Sequence, residues 1–351
     1  MSYRAVFFAL LSSALFGIST PAAKALLSAV DPEVLAGLFY CGAGIGVALL
    51  RHLLLPLIFS NVMSEASLGP RDWPWLGGAI AAGGVAGPIL LMIGLISTDA
   101  ATASLLLTLE GVATALLAWF VFNENFDRRI ALGMACIIAG AVVLSWAGAP
   151  TLAGALGPLA ISGACLAWGL DNNLTRKVSL ADPLQIVEIK GLTAAPVNLL
   201  LGLWAGGALP NLPTLLTAGV VGFLGYGVSI ALFVLALRHL GAARTGAYFS
   251  TAPFLGALAA VIFLHEPITT ALAAAALLMA FGIWLHLTEV HDHEHEHEPT
   301  DHSHSHVHDA HHRHAHGPDD PLGEPHTHRH QHTWLRHRHP HVPDMHHTHR
   351  H

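Results

Sequence analysis

The chain has 351 residues, of which 53% are hydrophobic and 11% charged, with a formal net charge of −7. That composition excludes a soluble globular fold for most of the length, and neither an enzyme nor a nucleic-acid partner is expected. Cys41, Cys136 and Cys165 fall inside apolar stretches without paired spacing, which reads as small core residues rather than disulfides or a thiol metal site.

From the amino terminus, ten apolar segments approach the ~20 residues needed to cross a hydrocarbon core: 4–27, 33–50, 73–96, 100–122, 129–147, 156–175, 184–206, 214–237, 243–264 and 268–287. The first, with Arg4 ahead of an apolar run, has the outline of a signal peptide, but nine further spans favour an uncleaved helix. Basic residues alternate with the spans. Arg4, Arg51 and Arg71, Arg128 and Arg129, Arg176 and Lys177, and Arg238 and Arg244 share one side; Lys24 alone stands on the other. Short basic loops stay cytoplasmic, so both termini are predicted inside, with the protein integral to the cytoplasmic (inner) membrane.

Charges inside spans are costly unless paired or wetted, so they mark candidate sites. Glu110, halfway along the fourth span, is the first candidate for a proton or cation site, since desolvation favours the protonated carboxyl group; a structural hydrogen bond to a neighbouring helix is the alternative. Lys190 in the seventh span is a candidate to bind an anionic substrate group or neutralise Glu110, or else it snorkels to the surface. Glu188 lies two residues away on another face and reads as structural, and Lys24 reads as snorkelling or gating. The sixth span ends in WGLDNNLTRK, where Trp168, Asp171, Asn172 and Asn173 either line a cavity or form an interfacial helix end. Tyr226 and Tyr248 offer hydroxyls or an aromatic wall, or simply pack. Pro21, Pro88, Pro196 and Pro253 each free a carbonyl within a span; Pro21, Gly111 and Pro253 are the candidate hinges. Glycines at small-xxx-small spacing (Gly42 and Gly46, Gly83 and Gly87, Gly202 and Gly206) suit close helix contact within a monomer or across a dimer, and leave the oligomeric state open.

The sequence also repeats. A shift of 142 residues lays Gly77, Gly83, Leu95, Gly111, Glu124 and Gly140 on Gly219, Gly225, Leu237, Pro253, Glu266 and Gly282; a shift of 152 lays FGISTPAAK, residues 16–24, on WGLDNNLTR, residues 168–176. Each unit holds five spans, an odd number, so the second copy enters the membrane from the opposite side. Inverted repeats are a recurring plan of secondary transporters, with the substrate site near the midplane between the halves. The expected fold is therefore all-α and integral to the membrane, ten helices in two inverted five-helix repeats (1–147 and 152–288), followed by a disordered tail (289–351).

Three features carry a family resemblance. They are an aromatic-Gly followed seven residues later by a cation (Gly17 to Lys24, Gly169 to Arg176), LLLTLEG in the fourth span against YFSTAPF in the ninth, and the helix-end glutamates of FNENF (Glu124) and LHEPI (Glu266). In these the chain resembles the EamA-type proteins of the drug/metabolite transporter superfamily over essentially residues 1–288. The resemblance implies a ten-helix carrier that moves small solutes without ATP, and the sequence has no GxxxxGK[ST] loop. Gly111 stands where such proteins often have proline after the fourth-span Glu, which implies a softer helix break there.

Of the 27 histidines, 23 lie in residues 291–351. They alternate in strings that supply His291, His293, His295 and His297, then His302, His304, His306 and His308, then His326, His328, His330 and His332. Imidazole is a ligand for zinc, nickel, cobalt and copper(II), so this tail is expected to bind divalent transition metal, while no cofactor is required for transport. Almost without aliphatic residues and interrupted by Pro and Gly, it is expected to be disordered when metal-free. The reading is a secondary-active transporter, an exporter of a small solute or metabolite, working in the lipid bilayer beside a metal-binding cytoplasmic tail. A transition-metal or metal-complex exporter fed by the tail is the alternative, and a membrane-tethered metal store a second one.

Overall fold

The computed structural model describes residues 3–58, 67–122, 128–146, 152–178, 181–240, 245 and 248–287, together with 291–297, 301–306, 326–331 and 335–341 of the tail. Between 3 and 287 the described residues form helices joined by turns, with no strand among them. We number the helices by predicted span. In the first half these are α1 (Tyr3–Leu26), α2 (Pro32–Leu49), α3 (Trp73–Ala79, continuing through Gly87–Ser97), α4 (Ala100–Leu106, then Leu109–Phe122) and α5 (Arg128–Trp146). In the second they are α6 (Leu152–Arg176), α7 (Pro183–Trp204), α8 (Leu212–Gly222, continuing through Ser229–Leu240), α9 (Ala252–Phe263) and α10 (Thr270–Leu287). Seven of them, α1 to α5, α7 and α8, are long and apolar enough to cross a membrane; α9 and α10 are shorter apolar helices.

Local chemistry sets the ends. Proline occupies the first turn of α2, α7 and α8, where its missing N–H costs nothing. Asp182 and Asn211 cap their helices by accepting from the Leu184 and Thr214 N–H groups at 2.9 and 3.0 Å. Gly206 closes α7 in the left-handed region (φ 93°), and the Gly207 N–H returns to the Gly202 carbonyl at 2.9 Å.

Packing follows a two-fold plan. α2 lies along α7, α5 along α10, and the first segment of α4 against α9; α1 packs on α8 and α9 as α6 packs on α3 and α4. With no hydrophobic drive between helices in lipid, close approach of small residues holds such contacts. A Cβ on Gly191 of α7 would stand 2.5 Å from the Gly44 Cα of α2, so the two backbones touch. Several of the small-xxx-small glycines make contacts within the chain: Gly42 meets Gly219, Gly46 meets Phe223, Gly87 meets Trp168 and Gly202 meets Val34.

The tail, residues 289–351, is described in part. Its described backbone runs as four strands, β1 (His291–His297) antiparallel to β4 (Leu335–His341), and β2 (Asp301–His306) to β3 (His326–Gln331). Strict alternation is the period of a strand. The register therefore sets His293 opposite His339 and His304 opposite His328. His308 and His332 lie outside the described residues.

Candidate functional site

The site is built around a π-helical turn, Ile80–Ala86, in the middle of α3. Pro88 cannot donate to the carbonyl of Gly84, and the wider turn leaves the neighbouring carbonyl of Gly83 available as well. Other helices supply the missing donors. Asn198 Nδ2 of α7 donates to Gly84 O at 2.9 Å; Tyr40 Oη of α2 and Trp168 Nε1 of α6 donate to Gly83 O at 2.6 and 3.0 Å. The missing side chain of Gly83 makes room for a carboxylate, since a Cβ there would sit 1.8 Å from Asp171 Oδ2.

Asp171 is buried, pairs with Lys190 Nζ of α7, and accepts from Thr175 Oγ1 at 2.8 Å. The pair is internally neutral, so Lys190 neither snorkels nor stands free for an anion. Glu110 belongs to α4, just past the unwound Leu107–Thr108. It is half-buried and accepts from Asn172 Nδ2 of α6 at 2.9 Å. Asn172 also donates to Thr114 Oγ1 at 3.1 Å, and Asn173 Nδ2 donates to the carbonyls of Thr114 and Gly169 at 3.1 and 2.8 Å. The Lys190 ammonium gives its hydrogen bond to Asp171. One carboxyl group thus remains with neutral partners only among the described residues, which suits reversible uptake of a proton or a cation.

Facing this polar cluster is an aromatic array. Tyr226, within a second π-helical turn (Phe223–Val228) of α8, lies 5.8 Å between ring centroids from each of Phe16, Phe39 and Tyr40, and Phe16 continues to Phe249 at 5.4 Å. Tyr40 belongs to both groups, since its hydroxyl bonds the Gly83 carbonyl while its ring meets that of Tyr226.

Of the residues singled out from sequence, Glu110, Lys190, Trp168, Asn172, Asn173 and Tyr226 come together here. Tyr248 does not: it packs with Val6, Phe8, Ala9 and Ala236 in a separate small cluster. The hinges also shift. α1 runs unbroken through Pro21. α4 breaks at Leu107–Thr108, ahead of Gly111, where the Thr108 hydroxyl bonds back to the Leu105 carbonyl at 2.8 Å and competes with the helix ladder. Pro253 sits in the first turn of α9, so the break precedes it at Ser250–Thr251. Sequence reasoning missed Tyr40, Phe16 and both π-helical turns, and left Asp171 without its partner; Gly83-Gly84 shortly before Pro88 was the available signal. Glu188 is structural as expected: it accepts from Arg51 at 2.8 Å and pairs with His52 at 2.9 Å, while Arg51 also reaches Asp182 at 2.9 Å.

At the opposite end, the Lys24 face, two charges hold the turn between α3 and α4. Lys24 donates to the carbonyls of Leu95 and Ile96 at the carboxyl end of α3. Glu266 accepts from the N–H groups of Ala100 and Ala101, each at 2.7 Å, at the amino end of α4. Both suit the helix dipoles. His265, in the left-handed region (φ 56°), directs the chain so that Glu266 reaches across; a non-glycine residue held there costs about 1–3 kcal/mol. Glu124, its repeat counterpart, lies outside the described residues. Among the described residues, no group of three or more His, Cys, Asp or Glu is placed to hold a metal ion.

Comparison with known proteins agrees with this architecture. The model of the EamA-like transporter family matches twice, over residues 3–146 and 155–288. An uncharacterized transporter of Methanothermobacter thermautotrophicus is 29% identical over 286 residues, 77% of this chain and 82% of that protein. The uncharacterized transporter YvbV of Bacillus subtilis is 27% identical over 298 residues, 78% of this chain and 88% of its own length. A solved structure described only as a crystal structure of a protein shares the fold, with a TM-score of 0.57 at 20% identity, covering 80% of this chain and 95% of its own.

Proposed function

Because the chain belongs to the EamA-like transporter family, we propose that it is a secondary-active permease that exports a small organic solute or metabolite in exchange for protons bound at Glu110. The observation that carries this reading is a set of ionisable groups, Glu110, Asp171 and Lys190, gathered beside unwound or widened turns of α3 and α4. Charge at that depth is expensive and persists where it serves a pathway. The two five-helix units, residues 1–147 and 152–288, enclose the site between them in opposite orientations. The Arg51 face is cytoplasmic by its basic residues, which puts the histidine tail in the cytoplasm of a cell bounded by this inner membrane. There the tail binds zinc, nickel, cobalt or copper(II) and buffers or senses it beside the carrier.

The tail's 23 histidines favour a second reading, export of the captured metal itself. Uptake of labelled zinc, nickel and cobalt into proteoliposomes separates the two, comparing the full chain with one ending near Thr288. Neither form moves metal on the first reading; transport by the shortened form replaces it with the second. In the same vesicles, Glu110→Gln abolishes the dependence of solute flux on a pH gradient. Unchanged pH dependence removes Glu110 from the coupling site.

A further inference from the structure

The first segment of α4 is a two-turn plug between two unwound stretches. Thr98–Asp99 precedes Ala100–Leu106, and Leu107–Thr108 follows it. The plug is packed against α9 and α1, with Ala100, Ala103, Leu105 and Leu106 at most 1% exposed. Only one side chain among the described residues engages its free amino end, and that side chain belongs to the other half of the molecule: Glu266, on the Ala100 and Ala101 N–H groups. Two of the buried hydroxyls without a hydrogen-bond partner, those of Thr98 and Ser104, flank or belong to this segment. Neither hydroxyl ties the segment to a neighbouring helix, which leaves Glu266 as the side chain that holds its amino end among the described residues. Glu110 comes two residues after the unwound Thr108, so a swing of the plug is felt at the carboxyl group in the site.

We propose that Ala100–Leu106 is the gate of the Lys24 face, that it turns on Leu107–Thr108, and that the Glu266 carboxylate is the latch that holds it shut. Lys24 acts as the fixed post, because it secures the carboxyl end of α3 within the same half while Glu266 ties α4 to the opposite half. Glu266 is thus a positioning residue that never touches the solute. The inference rests on the permease reading for its purpose but not for its test.

Cys165 reports the gate. Its Sγ lies 3.6 Å from the Leu106 carbonyl and is buried behind the plug. In the full chain with Cys41→Ala and Cys136→Ala, reconstituted in nanodiscs, the rate at which a water-soluble maleimide labels Cys165 measures opening. Glu266→Gln removes the charge and turns a donor toward donors. Ala100→Pro removes one of the two N–H groups at a first-turn position that accepts proline, after Asp99 whose φ −63° and ψ 146° suit a residue preceding proline. Each variant is expected to label about tenfold faster or more, the scale of one charge-assisted hydrogen bond, while Glu266→Asp labels more slowly than Glu266→Gln. If both variants keep the wild-type melting transition and label at the wild-type rate, Glu266 is not a latch. Solute flux is measured on the same preparations. Faster labelling without any flux in the wild type sinks the permease and leaves the gate, whereas normal flux with unchanged labelling sinks the gate alone.

Discussion

Around Gly83 and around Gly225 the two halves build one backbone arrangement with different chemistry. Each glycine lies in a π-helical turn, and each is covered by a residue of the helix one repeat away, Asp171 over Gly83 and Ser19 over Gly225. At repeat-equivalent positions Trp168 corresponds to Phe16 and Glu110 to Ala252, and with the Asp-Pro starts of α2 and α7 aligned (Asp31-Pro32 on Asp182-Pro183) Lys190 corresponds to Phe39. The widened turn and the glycine are common to both halves, so they belong to the fold. The ions, Glu110 from the first repeat and Asp171 and Lys190 from the second, gather on the Gly83 side only. A duplicated scaffold has kept its mechanics twice and its chemistry once.

Substitutions at matched positions break this comparison in graded steps. Lys190→Met strands the buried Asp171 carboxylate and is expected to cost about 3–5 kcal/mol, whereas Ser19→Ala in the other half costs under about 1 kcal/mol. Thermal unfolding of the purified variants reads the difference, and equal losses would end the claim of asymmetry. Gly83→Ala drives a methyl group into the Asp171 carboxyl and is expected to cost about 1–3 kcal/mol. Gly225→Ala meets Ser19 Cβ at 2.7 Å, so the same measurement should find it milder. Tyr40→Phe gives up one of two donors to Gly83 O, a loss of about 1 kcal/mol, because Trp168 remains bonded to that carbonyl. A double variant with Trp168→Phe sharpens the point, since the carbonyl is then orphaned and the combined loss exceeds the sum of the single ones.

Much of this was legible from the sequence, and the limits are instructive. Hydropathy located most of the helices within a few residues, the ninth excepted, which begins at Ala252 rather than 243, and duplicated glycines exposed the repeat, because burial in lipid and close packing act on composition directly. Glu110 announced itself as a charge in an apolar run. Its surroundings did not. Whether Asp171 meets Lys190 depends on the vertical register of α6 against α7, which no local pattern encodes. Tyr226 and Tyr248 look alike in sequence, yet one turn of helix in one case and a neighbouring cluster in the other decide which joins the site. The α4 break fell at Thr108 rather than Gly111 because a hydroxyl competing for a backbone carbonyl outweighed the mere permissiveness of glycine. The helix-end Glu266 was visible as a motif residue, but its grip on α4 appears only when the two halves are assembled.

The touching backbones at Gly44 and Gly191 have a mechanical consequence. At that point no side chain separates the two helices, which leaves them little slack to spread there, and the Arg51 bridge to Asp182 and Glu188 fastens one end of the same seam. What remains is rolling about that line, as a rocker moves on its bearing. On the permease reading proposed above, room gained on one side of such a seam is room given up on the other.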